Sequence, residues 1–295
     1  MKSHHFQNDA IEAFARVVER SPDHRVLRRL PRHDEMWLAP MPAGGADVVV
    51  GVIDCETTGL SAQDDAMIEF AIVKMALCAD GVLVDIAPPV AMLEDPGRLL
   101  PPEIEAITGI TDAMLKGERI ADESMQPLLN DVDVLVSHNA RFDRGFLVRR
   151  FPWIAHPWAC TLVDINWRDY GLEGRALGHL LASAGHFNSL GHRAGPDAWA
   201  LACLLAHCNE DGRTIAAELI ARARRPRLRL FARRAPFELR ALLTRVGYRW
   251  DAARKAWWIE GDEERITGER AFLRSFDGAI ETVTKTVDWF TRHAD

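Results

Sequence analysis

A pair of carboxylates two residues apart is the first feature of the chain that could do chemistry. Asp54 and Glu56 follow an apolar run, and in a β-strand residues i and i+2 point to the same side. Two carboxylates at the end of a buried strand repel each other and are costly to desolvate unless a cation joins them. Mg²⁺ and Mn²⁺ prefer carboxylate oxygens, so a hard divalent cation is the natural partner. The alternative is a carboxylate pair on a solvated strand end.

Two further carboxylates are predicted at helix starts. Asp143 falls in the first turn of the helix after a later strand, where the helix dipole favours a negative charge. Asp197 falls in the first turn of a helix that begins at Gly195-Pro196, and His192 lies five residues before it on a loop. Taken singly, each aspartate could be only an acid at the start of a helix, and His192 could be an ordinary surface or core histidine. Four such carboxylates beside a histidine favour a two-metal phosphoryl-transfer site.

An α/β domain over residues 47–210 is predicted to position these side chains. ADVVVGVID is a continuous apolar run, typical of a strand that is covered on both faces. MIEFAIVKMAL and VLVDIA are two more strand candidates, and three strands followed by alternating helices and strands favour a mixed sheet with packed helices. The later predicted elements are helices over 102–116 and 122–130, a strand over 133–139, a helix over 141–150, a strand over 158–165, and helices over 176–185 and 197–208.

Three segments flank this domain. Residues 1–46 are interpreted as an appendage with one amphipathic helix near Ile11 to Val18, followed by a Pro- and Gly-containing linker. Residues 222–262 are predicted to form a small module of strand, helix and strand-turn-strand. Residues 263–295 are predicted to form a terminal amphipathic helix, because their apolar residues recur at helical spacing: Phe272, Phe276, Ala279, Val283, Val287 and Phe290.

Composition narrows the class of protein. The net charge of −7 suits a soluble protein, yet residues 222–255 alone carry a net charge of +10 and the rest of the chain −17. No apolar run approaches the ~18–20 residues that cross a bilayer, so a membrane partner is not expected. The five cysteines form no CxxC pair, which indicates reduced core residues, and a cytoplasmic location is predicted.

The segments DCETTGL, SHNARFD and HRAGPD resemble, in order and spacing, the three motifs of the DEDDh family of DnaQ-like 3′–5′ exonucleases. This family includes the proofreading epsilon subunit of bacterial DNA polymerase III, RNase T and oligoribonuclease. DPGRLLPPEIEAITGITDAML also resembles the family's segment between the first two motifs. The resemblance covers about residues 47–208 and implies an RNase H-like α/β fold with a central mixed five-stranded sheet. Gly195-Pro196 departs from the family, which more often has bulkier residues there.

The resemblance also implies a reaction. Asp54, Glu56, Asp143 and Asp197 would hold two divalent cations, Mg²⁺ or Mn²⁺, and His192 would take a proton from the attacking water. The products would be nucleoside 5′-monophosphates, released from DNA or RNA that has a free 3′ end, either single-stranded or frayed. The resemblance also implies contacts to the terminal nucleotide by Thr58, Gly59, Leu60, His138, Asn139 and Phe142. The alternative is that these residues serve only turn formation or packing.

The basic segment LRLFARRAPFELRALLTRVGYRWDAARKAWWIEG resembles a small module that is appended to DNA-modifying enzymes. Aromatic rings can stack on bases while basic side chains neutralise phosphates, which favours nucleic-acid binding. The alternative is a tiny domain that buries at least two of its three tryptophans as core, and its positive charge could instead hold the acidic nuclease domain. The candidate contacts are Arg249, Trp250, Arg254, Lys255, Trp257 and Trp258.

The sequence leaves two other functions open. One is a nucleic-acid-binding or polymerase-associated scaffold with little or no nuclease activity, and the other is a phosphodiesterase of short oligonucleotides. A DNA polymerase, with a role in proofreading, or a repair complex is the candidate protein partner. The sequence does not decide between DNA and RNA, because reading a 2′-hydroxyl needs contacts that no motif places.

Overall fold

The computed structural model describes residues 2–208, 210–276 and 280–294, and the polypeptide divides into two units, residues 1–220 and 221–295. The elements that begin in the first unit are α1 (Lys2–Val18), β1 (Arg28–Arg29), β2 (Val48–Thr57), β3 (Met67–Leu77), β4 (Leu83–Ile86), β5 (Val90–Leu93), α2 (Pro102–Thr108), α3 (Asp112–Leu115), α4 (Asp122–Leu129), β6 (Val134–Ser137), α5 (Ala140–Arg150), β7 (Trp158–Cys160), α6 (Leu177–Ser183), β8 (His186–Phe187), α7 (Ala194–Ala206) and α8 (Ile215–Arg224).

A mixed sheet lies at the centre of the first unit, in the order β4-β3-β2-β6-β7, with β5 also paired to β3. β2 and β3 are antiparallel, whereas β6 is parallel to β2 and β7 is parallel to β6. Val52 and Ile53 are adjacent in β2, point to opposite faces and are both fully buried, so the sheet is covered on both faces. The predicted mixed α/β fold is therefore confirmed.

The predicted number of five strands was wrong, because the central sheet has six strands among the described residues. β3 is eleven residues long, and one edge of it pairs with β4 over Met75–Leu77 and with β5 over Glu69–Ile72. β5 has only four residues and follows Pro88-Pro89, which interrupt the strand pattern. The strand predicted over 158–165 is also shorter, since β7 ends at Cys160.

The segment before β2 packs onto the first unit. α1 contains the helix predicted near Ile11 to Val18, and β1 pairs in parallel with β8. The Trp199 indole Nε1 on α7 donates a hydrogen bond to the Pro31 carbonyl at 2.8 Å. The segment predicted as an appendage therefore lies in the same unit as the central sheet.

The elements of the second unit are β9 (Arg227–Arg233), α9 (Arg240–Arg245), β10 (Arg249–Asp251), β11 (Ala256–Gly261), α10 (Glu263–Arg274) and β12 (Glu281–Val287). The four strands form an antiparallel sheet in the order β10-β11-β9-β12. The core is contributed by strands, helices and a connecting turn and consists of Leu230, Ala232, Leu243, Tyr248, Ile259, Ile266 and Leu273.

The helix predicted over residues 263–295 was wrong beyond Arg274. α10 begins after Asp262, whose side chain caps the helix by accepting from the Arg265 amide, and it is followed by β12 rather than by more helix. The β12 sequence ETVTKTV is rich in β-branched residues, which favour strands, and it pairs with the whole of β9. Of the residues used for the helix prediction, Ala279 lies outside the described residues.

Across the part of the chain that the structure describes, every helix is too short or too polar to cross a membrane.

Candidate active site

Three of the predicted carboxylates meet at one end of β2. Asp54 and Glu56 point to the same side of this strand, and Asp197 reaches them from the first turn of α7, which packs on β2 and β3. One oxygen atom of each carboxylate lies within 4.8 Å of the corresponding atoms of the other two. Local strand and helix geometry therefore assembles a cluster of three acids from two distant parts of the chain.

Asp143 lies beside this cluster but outside the 4.8 Å group. Its side chain is buried in the first turn of α5, and its Oδ1 accepts a hydrogen bond from the Cys55 amide at 3.1 Å. After burial, the negative charge of Asp143 is the largest cause that raises the pKa of Asp54. The fourth predicted acid thus acts electrostatically on the cluster and is anchored to the same strand.

Burial raises the pKa of each of the four carboxyls. The pKa of Asp54 lies well above its ordinary value, that of Glu56 is raised to about 8, and those of Asp143 and Asp197 are also raised. The negative charges of neighbouring acids add to burial at Asp54 and Glu56. A set of hard oxygen donors whose charges repel one another fits a divalent cation such as Mg²⁺ or Mn²⁺, which would relieve that repulsion.

In the absence of divalent metal, the free energy of unfolding of the protein should decrease as the pH rises. Because the folded-state pKa values of these carboxyls are raised, the metal-free folded protein binds more protons than the unfolded chain between about pH 4.5 and pH 8. The free energy of unfolding in EDTA should therefore decrease across this window. Urea unfolding at pH 5, 6.5 and 8 measures it.

Addition of Mg²⁺ provides the control for this prediction. A ligand that binds only the folded protein stabilises it, and deprotonated carboxylates bind the cation best. Mg²⁺ should therefore restore stability most at pH 8 and least at pH 5. Equal slopes with pH in EDTA and in Mg²⁺ would show that these acids do not bind the ion.

The loop before α7 places His192 beside Asp197. The His192 amide donates to Asp197 Oδ2 at 2.8 Å, and Asn188 Nδ2 donates to Asp197 Oδ1 at 2.8 Å. His192 is exposed and has a left-handed backbone, with φ of 63°. This hydrogen bond from the His192 amide lowers the pKa of Asp197, against the larger effect of burial, which raises it. The histidine predicted as a base therefore lies next to the acidic cluster.

The turn after β2 is organised by Asp65. Its Oδ2 accepts from the Ser61 amide at 3.0 Å, and its Oδ1 accepts from the Thr58 hydroxyl at 3.3 Å and from Arg98 Nη2 at 3.2 Å. These bonds hold the turn in shape. At the tip of the turn, 89% of Leu60 is exposed to solvent.

Alanine at Gly59 should destabilise this turn. A Cβ atom there would lie 2.6 Å from Asp65 Cγ, so the carboxylate and its hydrogen bonds would have to move. Forcing extra volume into a packed site costs about 1–3 kcal/mol. Urea unfolding of Gly59→Ala should show a loss of this size.

Gly178→Ala is the matched control for Gly59→Ala. Gly178 lies inside α6, and no atom lies within 4 Å of a Cβ built there. Alanine is favoured over glycine in helices by about 1 kcal/mol, so this variant should be as stable as the parent or more stable. Equal stability changes in the two variants would contradict the proposed conflict with Asp65.

Comparison with known proteins identifies the fold's relatives. The exonuclease family RNase_T matches residues 52–203, about half of the chain, including all four acids and His192. This chain belongs to the RNase_T exonuclease family. The predicted DnaQ-like 3′–5′ exonuclease class is thereby confirmed, whereas the DEDDh subtype stays a prediction.

The curated relatives of this RNase_T exonuclease are much longer proteins. DNA polymerase III PolC-type of Listeria welshimeri is 41% identical over 106 residues, which are 35% of this chain and 7% of the relative. The PolC-type protein of Thermotoga maritima is 37% identical over 133 residues, 44% of this chain and 9% of the relative. The chain therefore spans less than a tenth of the length of these relatives.

Two solved structures are also similar to this family member. One is exonuclease X in complex with 5′ overhanging duplex DNA, at 23% identity and a TM-score of 0.41, covering 57% of this chain and 99% of that one. The other is the zinc-bound complex of Escherichia coli ExoI with single-stranded DNA, at 14% identity and a TM-score of 0.45, covering 83% of this chain and 66% of that one.

Three predicted nucleotide contacts of the exonuclease already have structural partners. Both ring nitrogens of His138 are bonded, Nδ1 with the Thr161 hydroxyl at 2.9 Å and Nε2 with the Arg175 carbonyl at 2.7 Å, and burial lowers its pKa. Asn139 precedes α5 with φ of 81°, and Phe142 packs on the core cluster. These roles match the turn and packing alternative, and nucleotide contact by these residues stays a prediction.

Sequence reasoning missed the role of Glu69. This residue is buried in β3, and its carboxylate forms an ion pair with Arg193, with Nη2 to Oε1 at 2.7 Å. A glutamate inside the apolar run MIEFAIV was the available signal for a buried partner.

The candidate contacts in the second unit do not share one surface. β10 and β11 pair Arg249 with Trp258 and Trp250 with Trp257, so the two cross-strand pairs lie on opposite faces of the sheet. Trp257 packs on the unit's core, whereas the Arg229 guanidinium carbon lies 4.4 Å from the Trp258 ring centroid. Trp257 and Trp258 are half-buried and 52% of Trp250 is exposed, so the expected burial of two tryptophans is only partial.

The two remaining candidates lie in the turn between β10 and β11. Arg254 is paired with Asp251, with Nη1 to Oδ2 at 2.7 Å. Lys255 is exposed and has a left-handed backbone, with φ of 47°. A nucleic acid bound at this turn would therefore contact one basic side chain, that of Arg254, which is already paired with the carboxylate of Asp251.

Proposed function

We propose that this chain is a metal-dependent 3′–5′ exonuclease of the DEDDh subtype, which hydrolyses the terminal phosphodiester of DNA or RNA and releases nucleoside 5′-monophosphates. The convergence of Asp54, Glu56 and Asp197 at one strand end, with His192 exposed beside them, is the observation that supports it most directly. Asp143, anchored to the Cys55 amide, completes the set of acids that this subtype requires.

The four acids would hold two divalent cations, Mg²⁺ or Mn²⁺. When bound, a metal pair supplies activation of the attacking water and stabilisation of the leaving 3′ oxygen. The chain's own contribution is to fix the carboxylate oxygens before the reaction. β2 fixes Asp54 and Glu56, the Cys55 amide fixes Asp143, and His192 and Asn188 fix Asp197.

His192 would act as the general base. The exposed imidazole would accept a proton from the attacking water through its unprotonated ring nitrogen. The water oxygen then bonds to phosphorus and the bond from phosphorus to the preceding 3′ oxygen breaks. The leaving 3′ oxygen takes a proton from solvent and becomes the 3′-hydroxyl of the shortened strand, and the terminal nucleotide leaves with its phosphate at the 5′ position.

The turn after β2 would contact the terminal nucleotide. Leu60 is a large apolar side chain that is almost fully exposed, next to the strand that carries Asp54 and Glu56. An exposed apolar side chain at this place suits a wedge against the terminal base. Gly59 would allow the backbone to approach the nucleotide closely, while Asp65 keeps the turn in shape.

The basic second unit would bind the strand away from its 3′ end. Arg249, Trp250 and Lys255 are exposed, and residues 222–255 carry a net charge of +10. Exposed basic side chains neutralise phosphates and exposed aromatic rings stack on bases, so affinity for a long strand should fall steeply with salt. Activity that is insensitive to salt and restricted to short oligonucleotides would instead support the phosphodiesterase alternative.

A DNA polymerase is the proposed protein partner, with a repair complex as the alternative. This proposal is supported by the curated relatives, which are named DNA polymerase III PolC-type. In such an assembly the exonuclease would remove mispaired 3′ ends. Preferential cleavage of a mismatched over a matched primer end by the assembled proteins would support this use.

Cleavage of 5′-labelled single strands tests the proposed activity. DNA and RNA of equal sequence are incubated with Mg²⁺, Mn²⁺ or EDTA, beside an Asp54→Asn variant. A metal-dependent ladder that shortens from the 3′ end, and that the variant does not produce, is the expected result, and the relative rates identify the substrate. No cleavage with either metal would favour the scaffold alternative.

A further inference from the structure

A buried ion pair holds the backbone that follows His192. Only 3% of the Glu69 side chain is exposed, and its Oε1 accepts from Arg193 Nη2 at 2.7 Å while its Oε2 accepts from Arg193 Nε at 3.0 Å. The same Oε2 accepts a hydrogen bond from the Ala194 amide at 2.9 Å. One carboxylate from β3 therefore fixes the two residues that follow the histidine.

His192 needs such support because of its backbone conformation. A left-handed φ costs a residue with a side chain about 1–3 kcal/mol and persists only where the surroundings enforce it. On one side, the His192 amide is bonded to Asp197. On the other side, Arg193 and Ala194 are bonded to Glu69. The strained residue is thus clamped from both directions.

Glu69 is not placed as a metal ligand. It is the cross-strand partner of Glu56, yet both of its oxygens already accept hydrogen bonds from the chain. In the part of the chain that the structure describes, the acids with oxygen atoms within 4.8 Å of one another are Asp54, Glu56 and Asp197, and Glu69 is not one of them. After burial, the negative charge of Glu69 is among the causes that raise the pKa of Asp54, Glu56 and Asp197, so a direct electrostatic effect on these acids is the alternative that the experiment must separate from an effect through Arg193 and Ala194.

We propose that Glu69 is a positioning residue for the exonuclease reaction. Through Arg193 and Ala194 it holds His192 in its left-handed conformation beside Asp197. This inference rests on the proposed function, because it takes His192 to be the general base.

A double-mutant cycle tests the proposal. Glu69→Gln keeps the shape and one acceptor oxygen but removes the charge that binds Arg193. We expect kcat to fall about 10–100-fold, since a displacement of about 1 Å can cost 10²-fold in rate. The KM and the affinity for Mn²⁺ should stay within about twofold if Glu69 acts through His192, whereas a larger change in Mn²⁺ affinity would show that its charge acts directly on the acids and would overturn the inference. In a His192→Asn background, Glu69→Gln should cause no further loss of kcat.

Two variants control for general effects on folding. Glu94 pairs with Arg150 at 2.9 Å and also accepts from the Ile120 amide at 3.2 Å, so Glu94→Gln removes a similar ion pair elsewhere in the unit. This variant should keep its kcat. Arg193→Lys leaves Glu69 charged but removes the two-pronged contact, and it should lower kcat in the same non-additive way. Thermal unfolding of each variant verifies that it is folded.

The outcomes separate the positioning role from the base role. If Glu69→Gln lowers kcat equally in the parent and in the His192→Asn background, Glu69 acts by another route and the inference is overturned. An unchanged kcat in Glu69→Gln overturns it as well. If His192→Asn itself leaves kcat unchanged, the assignment of His192 as base is wrong, and the failure belongs to the proposed function.

Discussion

Replacement of Asp54 by asparagine should lower kcat by about a thousandfold or more, because metal ions supply several kcal/mol of transition-state stabilisation and each 1.36 kcal/mol is a factor of ten. The amide is neutral and offers one oxygen where the carboxylate offers two. Its place in β2 would otherwise be unchanged, since asparagine has nearly the same shape as aspartate. The gel assay on 5′-labelled strands, with Mg²⁺ and with Mn²⁺, measures the loss.

The same variant should be more stable than the parent in EDTA at pH 8. Burial and the negative charge of Asp143 raise the pKa of Asp54, so the metal-free protein either carries an unfavourable charge there or must bind a proton. Asparagine removes this cost. A gain of about 1 kcal/mol would raise the unfolding midpoint by about 2–4 °C.

Asp131→Asn is a control in which the pKa of the replaced carboxyl is lowered rather than raised. Asp131 is exposed and is bonded to Lys74, which holds the pKa of this carboxyl below its usual range. Its loss should leave kcat unchanged and should not stabilise the protein, since surface ion pairs contribute about 0–1 kcal/mol. An active Asp54→Asn variant, or one that is less stable than the parent in EDTA, would contradict the assignment of Asp54.

The geometry of the acids was predictable because it is local. The two-residue spacing of Asp54 and Glu56 in a strand fixes their common direction, and the turn signals before Asp143 and Asp197 indicate the helix starts on which the structure places them. The order of the motifs then indicated that these segments meet. Short-range patterns of this kind depend on the backbone period and on little else.

The Glu69 to Arg193 pair was not predictable in the same way, because its partners are 124 residues apart. The sequence shows a charged residue in an apolar strand but does not name the residue that neutralises it. β5 was missed for a related reason, since a four-residue strand is defined by its pairing with β3 rather than by its own pattern. Tertiary pairing determines both features.

In the second unit, the alternation of side chains along a β-strand predicts which of the candidate contacts lie on the same face of the sheet. The predicted strand-turn-strand at the end of this module already implied that the neighbouring residues Arg249 and Trp250 point to opposite faces. The six proposed contacts could therefore not form one surface. In β12 the opposite problem arose, because Val283 and Val287 are spaced as in a helix while the intervening β-branched residues favour the strand that forms.

Replacement of His192 by asparagine should lower kcat about 10²–10⁴-fold, the usual contribution of a general base. Asparagine adopts left-handed backbone more readily than most residues, so the hydrogen bond from the amide at this position to Asp197 Oδ2 should persist. The affinity for Mn²⁺, measured by calorimetry, should therefore change little. The loss should fall on kcat rather than on KM, because the proton is removed only as the reaction proceeds.

The pH dependence of kcat distinguishes a base from a residue that merely supports the loop. A general base acts only when it is deprotonated, so at saturating Mg²⁺ kcat of the parent should rise with pH until the base has lost its proton. His192→Asn should lose this rise while keeping the parent's thermal unfolding midpoint within a few degrees. A variant with the same pH profile and the same kcat would show that the proton leaves by another route, and the acidic cluster alone would then have to account for the reaction.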